Sequence, residues 1–383
     1  MVNNRKIIFV FISLLSLMII PGCGHSKNVI EELGVASAYG LDINEQQQLD
    51  GTTVLYQFNP DITNASQIIR STGETFSMVR SNANKKSGYK IVNGKLDTIL
   101  FGPTIAKQGI VPYLDTIERD AAISNMLYVT MSEEPARDIL SASNYEEAPN
   151  IGVYLHSLVD KSVRNEEIVS STFHEFMRSY YRAGREPLVP IISIKENKAS
   201  IDKVGIMHGD THVGNLSLDE VFLVRLIRDK FQSGRINLEM DIEPFKQYIE
   251  ESQHNSRKDQ MYVVLDKLKN NTQIKLTNVD DLTYKVNVNL NARIIETSQQ
   301  MTLENPKVVK ILEQQINKKL EEDLKTVLKK SQQINSDVFG FGVKYNNHTR
   351  GEELTREQWQ DLFPNIEVDY NVSTEIKRFG TVN

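Results

Sequence analysis

Cysteine is nearly absent: Cys23 is the only one among 383 residues. A lone thiol leaves no intramolecular disulfide and no thiolate cluster for zinc, so neither a disulfide framework nor a Cys-rich metal site fits. Basic excess is missing too. Lys and Arg number 44 against 50 Asp and Glu. Without residues 1–22, whose only charged side chains are Arg5 and Lys6, the balance is 42 against 50, a formal net charge of −8. That excludes the clustered positive charge of a nucleic-acid-binding protein and argues against adhesion to anionic lipid heads through the protein surface. Long apolar runs are scarce. Ile7–Ile20 is the one such stretch, 14 residues interrupted by Ser13 and Ser16, whereas a membrane-spanning helix takes about 20. Catalytic signatures are missing as well. There is no G-x-S-x-G elbow, and His174-Glu175 is not part of an HExxH pair because Arg178 stands four residues beyond His174.

What is present begins at the N-terminus. Arg5 and Lys6, the apolar run and a small residue in Ile20-Pro21-Gly22-Cys23 describe a secretory signal. The placement of Cys23 directly after Gly22 resembles a bacterial lipobox. Residues 1–22 then form a lipoprotein signal peptide, and Cys23, S-diacylglycerylated and N-acylated, becomes the first residue of the mature chain. More than one acyl chain gives lasting attachment to a bilayer, which a single chain does not. Gly24–Asn28 makes a short polar tether.

About 360 mature residues exceed one ordinary core, so two or three domains are expected. Val35–Ile43 and Thr53–Phe58 read as strands about a polar turn. Ser71-Thr72-Gly73-Glu74 reads as the start of a helix with Phe76, Met78 and Val79 on its apolar side. Leu96–Phe101 and Asn125–Met131 read as further strands. Each is followed by a helix, Ile105–Arg119 and Glu133–Leu140, and two more helices span Ile151–Val163 and Thr172–Tyr181. This alternation predicts an α/β layer. Ala183-Gly184-Arg185-Glu186-Pro187 breaks the pattern and suggests a boundary. It divides 23–186, an N-terminal mixed α/β domain, from 187–383, a C-terminal α+β domain in which 187–260 forms a separate small subdomain on one reading.

Beyond that break, Leu188–Ile194 and Lys203–Met207 read as strands and Ser217–Asp229 as a helix. Tyr284–Ile294 alternates apolar even with polar odd positions, as Ile366–Ile376 does, which marks half-buried strands. Between them Asn305-Pro306 opens a helix reaching about Gln333. Val309, Leu312, Ile316, Leu320, Leu324 and Val327 form its apolar stripe, and Glu321 and Lys325 stand at i, i+4 where they can pair. The expected fold class is mixed α/β and α+β, with a C-terminal antiparallel sheet covered by one long helix.

Candidate chemistry is sparse. His208-Gly209-Asp210-Thr211-His212 could turn two imidazoles and a carboxylate toward a metal, but its glycine and its place between short strands favour a solvated hairpin turn. His156 and His174 read as partly buried structural histidines. Phe339-Gly340-Phe341-Gly342 reads as a helix-ending turn with aromatic plugs. Glu146-Glu147 and Asp280-Asp281 read as solvated loop charge. No catalytic constellation, cofactor site or metal site is expected.

Several stretches carry a resemblance. Glu31-Glu32-Leu33-Gly34, Gly40-Leu41-Asp42, Phe101-Gly102, Gly109-Ile110, Tyr113-Leu114-Asp115 and Arg119-Asp120 resemble the opening half of the Ger(x)C family. Asp337-Val338-Phe339-Gly340-Phe341-Gly342, Trp359, Leu362-Phe363-Pro364 and Lys377-Arg378-Phe379-Gly380 are similar to its closing half. Gly24 stands where that family often carries a Trp. The resemblance implies a non-enzymatic, lipid-anchored C subunit of a spore germinant receptor, on the outer face of the inner spore membrane. It also implies integral-membrane A and B subunits of the same receptor as partners, and offers Cys23 alone as a modified position. A lipid-anchored solute-binding protein serving a transporter is the alternative. An anchored hydrolase comes third, and would need a nucleophile and base in one cleft.

Overall fold

The computed structural model describes residues 30–57, 66–142, 145, 148–249, 259–349 and 354–379. The leader 1–22, Cys23, the tether Gly24–Asn28 and the Glu146-Glu147 pair lie outside the described residues. None of the described helices is long and apolar enough to cross a membrane.

The chain begins with β1 (Leu33–Ile43), β2 (Leu49–Gln57), β3 (Ser66–Gly73) and helix α1 (Phe76–Lys86). It continues through β4 (Lys90–Val92), β5 (Thr98–Phe101), α2 (Pro103–Gln108), α3 (Val111–Glu118) and β6 (Tyr128–Ser132). Then come α4 (Ala136–Ser141), α5 (Ile151–Arg164), α6 (Phe173–Tyr181), β7 (Leu188–Lys195), β8 (Lys198–His208) and β9 (Thr211–Ser217). These strands form one sheet in the order β3-β2-β1-β5-β6-β7-β8-β9, with β4 also on β1. β1, β4, β5, β6 and β7 run parallel, and β2, β3, β8 and β9 pair antiparallel with their neighbours.

β1 is buried at every position between its end residues. Parallel central strands have helices on both faces, so both side-chain sets need apolar cover. On one face Ala38 and Leu100 meet Ala136, Leu140, Ile151 and Leu155 of α4 and α5. On the other Tyr39, Leu41 and Phe101 meet Phe76, Val79, Ile105 and Leu114 of α1, α2 and α3.

Several expectations shift. Ser71–Gly73 ends a strand, and the helix starts later, capped by Thr75 Oγ1, which accepts from Met78 N. Met78 is 46% exposed, outside the apolar side. The single helix expected over Ile105–Arg119 is two, because Gly109 takes φ +116° and the chain turns. Residues 188–217, beyond the Ala183–Pro187 break, add three strands to the first sheet, with Met131 and Ser132 paired to Ile191 and Ile192.

Helix α7 (Leu218–Arg228) starts at a reciprocal capping box between Ser217 and Glu220. It leads to the second sheet, ordered β10 (Gly234–Asp241), β11 (Gln260–Asn278), β12 (Thr283–Thr297) and β13 (Glu367–Phe379). Tyr284, Val286, Val288, Leu290, Ala292 and Ile294 are all buried, as the alternation predicts. Helix α8 (Pro306–Gln333) covers that inner face with Leu312, Ile316, Leu320, Leu324 and Val327. Two short helices, α9 (Phe341–His348) and α10 (Arg356–Leu362), precede the last strand.

The second sheet is antiparallel except at β13, which runs parallel to β12 from Thr283↔Glu367 onward. α8 is the reason. Its 28 residues return the chain about 40 Å toward the end where β12 began, so the next strand sets out in the same direction. β13 is an edge, and α8 closes it. Glu321 Oε1 accepts from Val372 N at 2.9 Å, Asn317 Oδ1 from Thr374 N at 2.8 Å and Glu313 Oε1 from Ile376 N at 2.9 Å. Glu321 thus serves the strand edge instead of pairing with Lys325.

Candidate functional site

Four of the stretches singled out in the sequence, Ala183–Pro187, His208–His212, Asp337–Gly342 and Trp359, meet at one buried junction between the sheets. Four segments build it: the lead-in to β7, the β8–β9 turn, the segment after α8, and α10. Asp337 is its centre, 2% exposed. Its Oδ1 accepts from Phe339 N at 3.1 Å and Gly340 N at 2.7 Å; its Oδ2 accepts from Gly342 N at 3.0 Å and Trp359 Nε1 at 3.1 Å. Burial pushes the Asp337 carboxyl up to about 6, against the pull of those amide donors. Nearby, Arg228 donates to Val338 O at 3.2 Å, and burial lowers its pKa to about 10.

The glycines are here for space and backbone sign. Gly340 has φ +80° and begins α9. Gly184 has φ +89°, and a Cβ on it would lie 2.3 Å from the Gly342 carbonyl carbon. A Cβ on Gly342 would lie 2.5 Å from Trp359. Two backbones and an indole therefore meet with no room for a methyl group.

Around this cage the sheets are tied together. Glu186, 5% exposed, accepts from Arg356 Nη1 at 2.9 and 2.8 Å and from Gly209 N at 2.7 Å. Arg356 also donates to Tyr180 O and lies over the Tyr180 ring, 5.2 Å from its centroid. Ser336 Oγ donates to Met207 O at 2.7 Å. His208 Nδ1 lies 2.9 Å from Asn335 O, and its Nε2 lies 3.1 Å from Gln360 Nε2. An imidazole donating at Nδ1 and accepting at Nε2 satisfies both contacts.

The His208–His212 turn does not gather a metal site. His208 faces Asn335 and Gln360. Asp210 Oδ2 accepts from Val111 N at 3.1 Å and starts α3, while His212 Nε2 sits 2.9 Å from Gly214 O and 2.7 Å from Asn215 Oδ1. Among the described residues no group of His, Cys, Asp and Glu is placed to hold a metal ion. His174 is exposed, because α6 turns that face to solvent, in contrast to the partly buried histidine expected. His156 is half-buried against the Tyr128 ring, with centroids 5.4 Å apart.

A third buried carboxylate lies in the first sheet, at the end of β1. Asp42, 7% exposed, accepts from Ala136 N and Arg137 N, both at 2.9 Å, and so caps α4 from a different strand. Burial raises its pKa above the usual carboxylate range. A Cβ on Gly102 would sit 1.9 Å from Asp42 Oδ1, and one on Gly40 would lie 2.6 Å from Leu140 Cδ1. The Gly40-Leu41-Asp42 and Phe101-Gly102 motifs thus form one joint. The sequence marks them only through the family resemblance, because the α4 contact lies 94 residues away and leaves no periodic trace.

These geometries hold backbones together; they define a two-sheet α/β and α+β scaffold locked at a shared junction. The chain belongs to the spore germination protein family. Its residues 26–194 match the spore germination protein N-terminal domain, and residues 202–380 match the spore germination B3/GerAC-like C-terminal domain. It is 21% identical over 375 residues to spore germination protein GerQC of Bacillus cereus, covering 98% of each chain. To spore germination protein KC of Bacillus subtilis strain 168 it is 20% identical over 408 residues, covering 99% of this chain and 97% of that one. The crystal structure of the GerBC protein has a similar fold, with a TM-score of 0.50 and 17% identity over 88% of this chain and 97% of that one.

Proposed function

We propose that the chain is a lipid-anchored, non-enzymatic C subunit of a spore germinant receptor. It sits on the outer face of the inner spore membrane and works with integral A and B subunits in nutrient-triggered germination. What carries the reading is family membership over nearly the whole mature chain together with a solitary cysteine, Cys23, directly after Gly22 of a lipobox-like leader. Thioether acylation gives that thiol a use and gives the acidic body a hold on the bilayer that its surface charge does not supply. The buried carboxylates Asp42, Glu186 and Asp337 are each engaged by backbone amides, two of them at helix starts, which favours a scaffold over a reaction centre. The solute-binding alternative calls for two similar lobes around a cleft. The two described sheets differ in strand number, order and direction.

Mass spectrometry of the chain extracted from spore membranes tests the anchor. The expected result is a diacylglyceryl thioether on an N-terminal Cys23, and C23A should release the protein from the membrane fraction and impair the nutrient response. An unmodified thiol at Cys23 in native membranes overturns the reading.

A further inference from the structure

Sheets end in strands whose outer backbone groups must be closed or will recruit another strand. At two of the terminal strands here, β3 and β13, side chains close outer backbone groups. At β3, Asn82 Nδ2 donates to Thr72 O at 2.9 Å and Lys86 Nζ to Arg70 O at 2.9 Å. At β13, Glu313, Asn317 and Glu321 close three successive outer amides.

β10 is treated differently. Ile242 N donates to Asp259 O, so at period two Met240, Leu238 and Ile236 address β11. Asn237, Glu239 and Asp241 then turn their N–H and C=O groups outward, and no described residue donates to or accepts from them there. The strand is eight residues long, contains no Pro and alternates strictly between buried and exposed positions. α8 has two flanks. Glu313, Asn317 and Glu321 on one flank grip β13, while Gln315, Lys319 and Glu322 on the other face the β10 edge across a groove of about 400 Å³.

The charge along this groove is uneven. Lys318 and Lys319 on the helix are matched to Glu322 and Asp323. On the strand side Glu239 accepts from the Tyr262 hydroxyl, and Lys246, a cation near Asp241 and Asp259, is paired to Glu243. Among the described residues no Lys or Arg forms an ion pair with Glu239, Asp241 or Asp259, so the strand side keeps an acidic excess. We infer that the open edge of β10 receives an extended strand from a partner protein, one that carries Lys or Arg toward Glu239, Asp241 and Asp259. Main-chain pairing gives such a complex its affinity and alternate side chains its specificity. The inference rests on the reading of this chain as a receptor subunit and names the surface by which it meets its partner.

A photo-crosslinking residue placed at position 237 of the full chain in spores tests it, with the same residue at 289, on the exposed outer face of β12, as comparison. The expected result is a crosslink from 237 to one basic extended segment of a membrane partner, and little from 289. N237P removes an outward amide without touching the β11 ladder, and should lower co-purification of that partner roughly tenfold or more, whereas N237A should stay within about twofold. E239K/D241K, which leaves the backbone intact, should weaken it in the same direction. Absence of a crosslink from 237 overturns the inference, whether or not the chain co-purifies with other membrane proteins. So does a partner crosslinked from 289 alone. Co-purification with a silent position 237 leaves the receptor reading standing and removes only this one.

Discussion

Asp337 shows what a single side chain does in this fold. Its four N–H donors favour the carboxylate, and its burial favours the acid. Burial prevails, raising the pKa from 3.8 to about 6. A carboxyl whose folded pKa lies above its unfolded value adds stability that is full below about pH 3.8 and is lost as pH rises through about 6. For this group the folded chain therefore gains roughly 1–2 kcal/mol between pH 7 and pH 5, read by urea unfolding of the mature chain at both values. D337N has no proton to bind and should lose that gain. It should also be destabilised at pH 7 by roughly 2 kcal/mol, because its amide turns N–H donors toward Gly342 N or Trp359 Nε1. An unchanged pH slope in D337N would assign the slope to another group. G184A probes the same cage by volume and backbone sign, since its methyl would meet Gly342 at 2.3 Å with φ +89°. It should cost about 3 kcal/mol or more, measured as a fall in denaturation midpoint.

At the scale of elements, what was legible depended on whether the signal was periodic. The alternation in Tyr284–Ile294, the stripe from Leu312 to Val327 and the Ser217 cap each predict their element, because neighbours a few residues apart decide the outcome. β10 and β11 went unread despite their length. β11 carries Lys267, Asn270 and two further register shifts that blur its period, and β10 follows a turn directly. The parallel direction of β13 was also hidden, since it is set by where α8 delivers the chain and not by the strand's own residues. The junction was half legible: Gly340, Gly342, Trp359 and Asp337 lie in the stretches that carry the family resemblance, but the hydrogen bonds that build the junction span up to 176 residues. The α8 flank gives an element-scale prediction. Alanine at Glu313, Asn317 and Glu321 together leaves three outer amides of β13 open and should cost about 1 kcal/mol per position. It should also promote edge-to-edge association, visible by light scattering at concentrations where the native chain stays monodisperse. Equal scattering from both would mean the edge is closed by other means.

For the whole molecule, the question is whether two sheets behave as one cooperative body. A single apolar cluster runs from Ala38 and Leu100 in the first sheet to Ile294, Leu320 and Ile376 in the second, so burial alone couples them. The polar junction adds direction to that coupling: Glu186–Arg356, His208–Asn335 and Ser336–Met207 each join residues of different halves. Removing Arg356 leaves Glu186 buried without its cation, a change of about 3–5 kcal/mol for a pair of this kind. Trp359 is the only tryptophan and sits in the junction, so its fluorescence reports that place while far-UV circular dichroism reports both sheets. In the native chain the two signals should change together along a urea series, as expected of a cooperative unit. In R356M the Trp359 signal should move at lower urea, ahead of the circular dichroism, because the junction opens before either sheet is lost. Coincident curves in R356M would mean that the shared apolar core, and not the ion pair, sets the coupling between the halves.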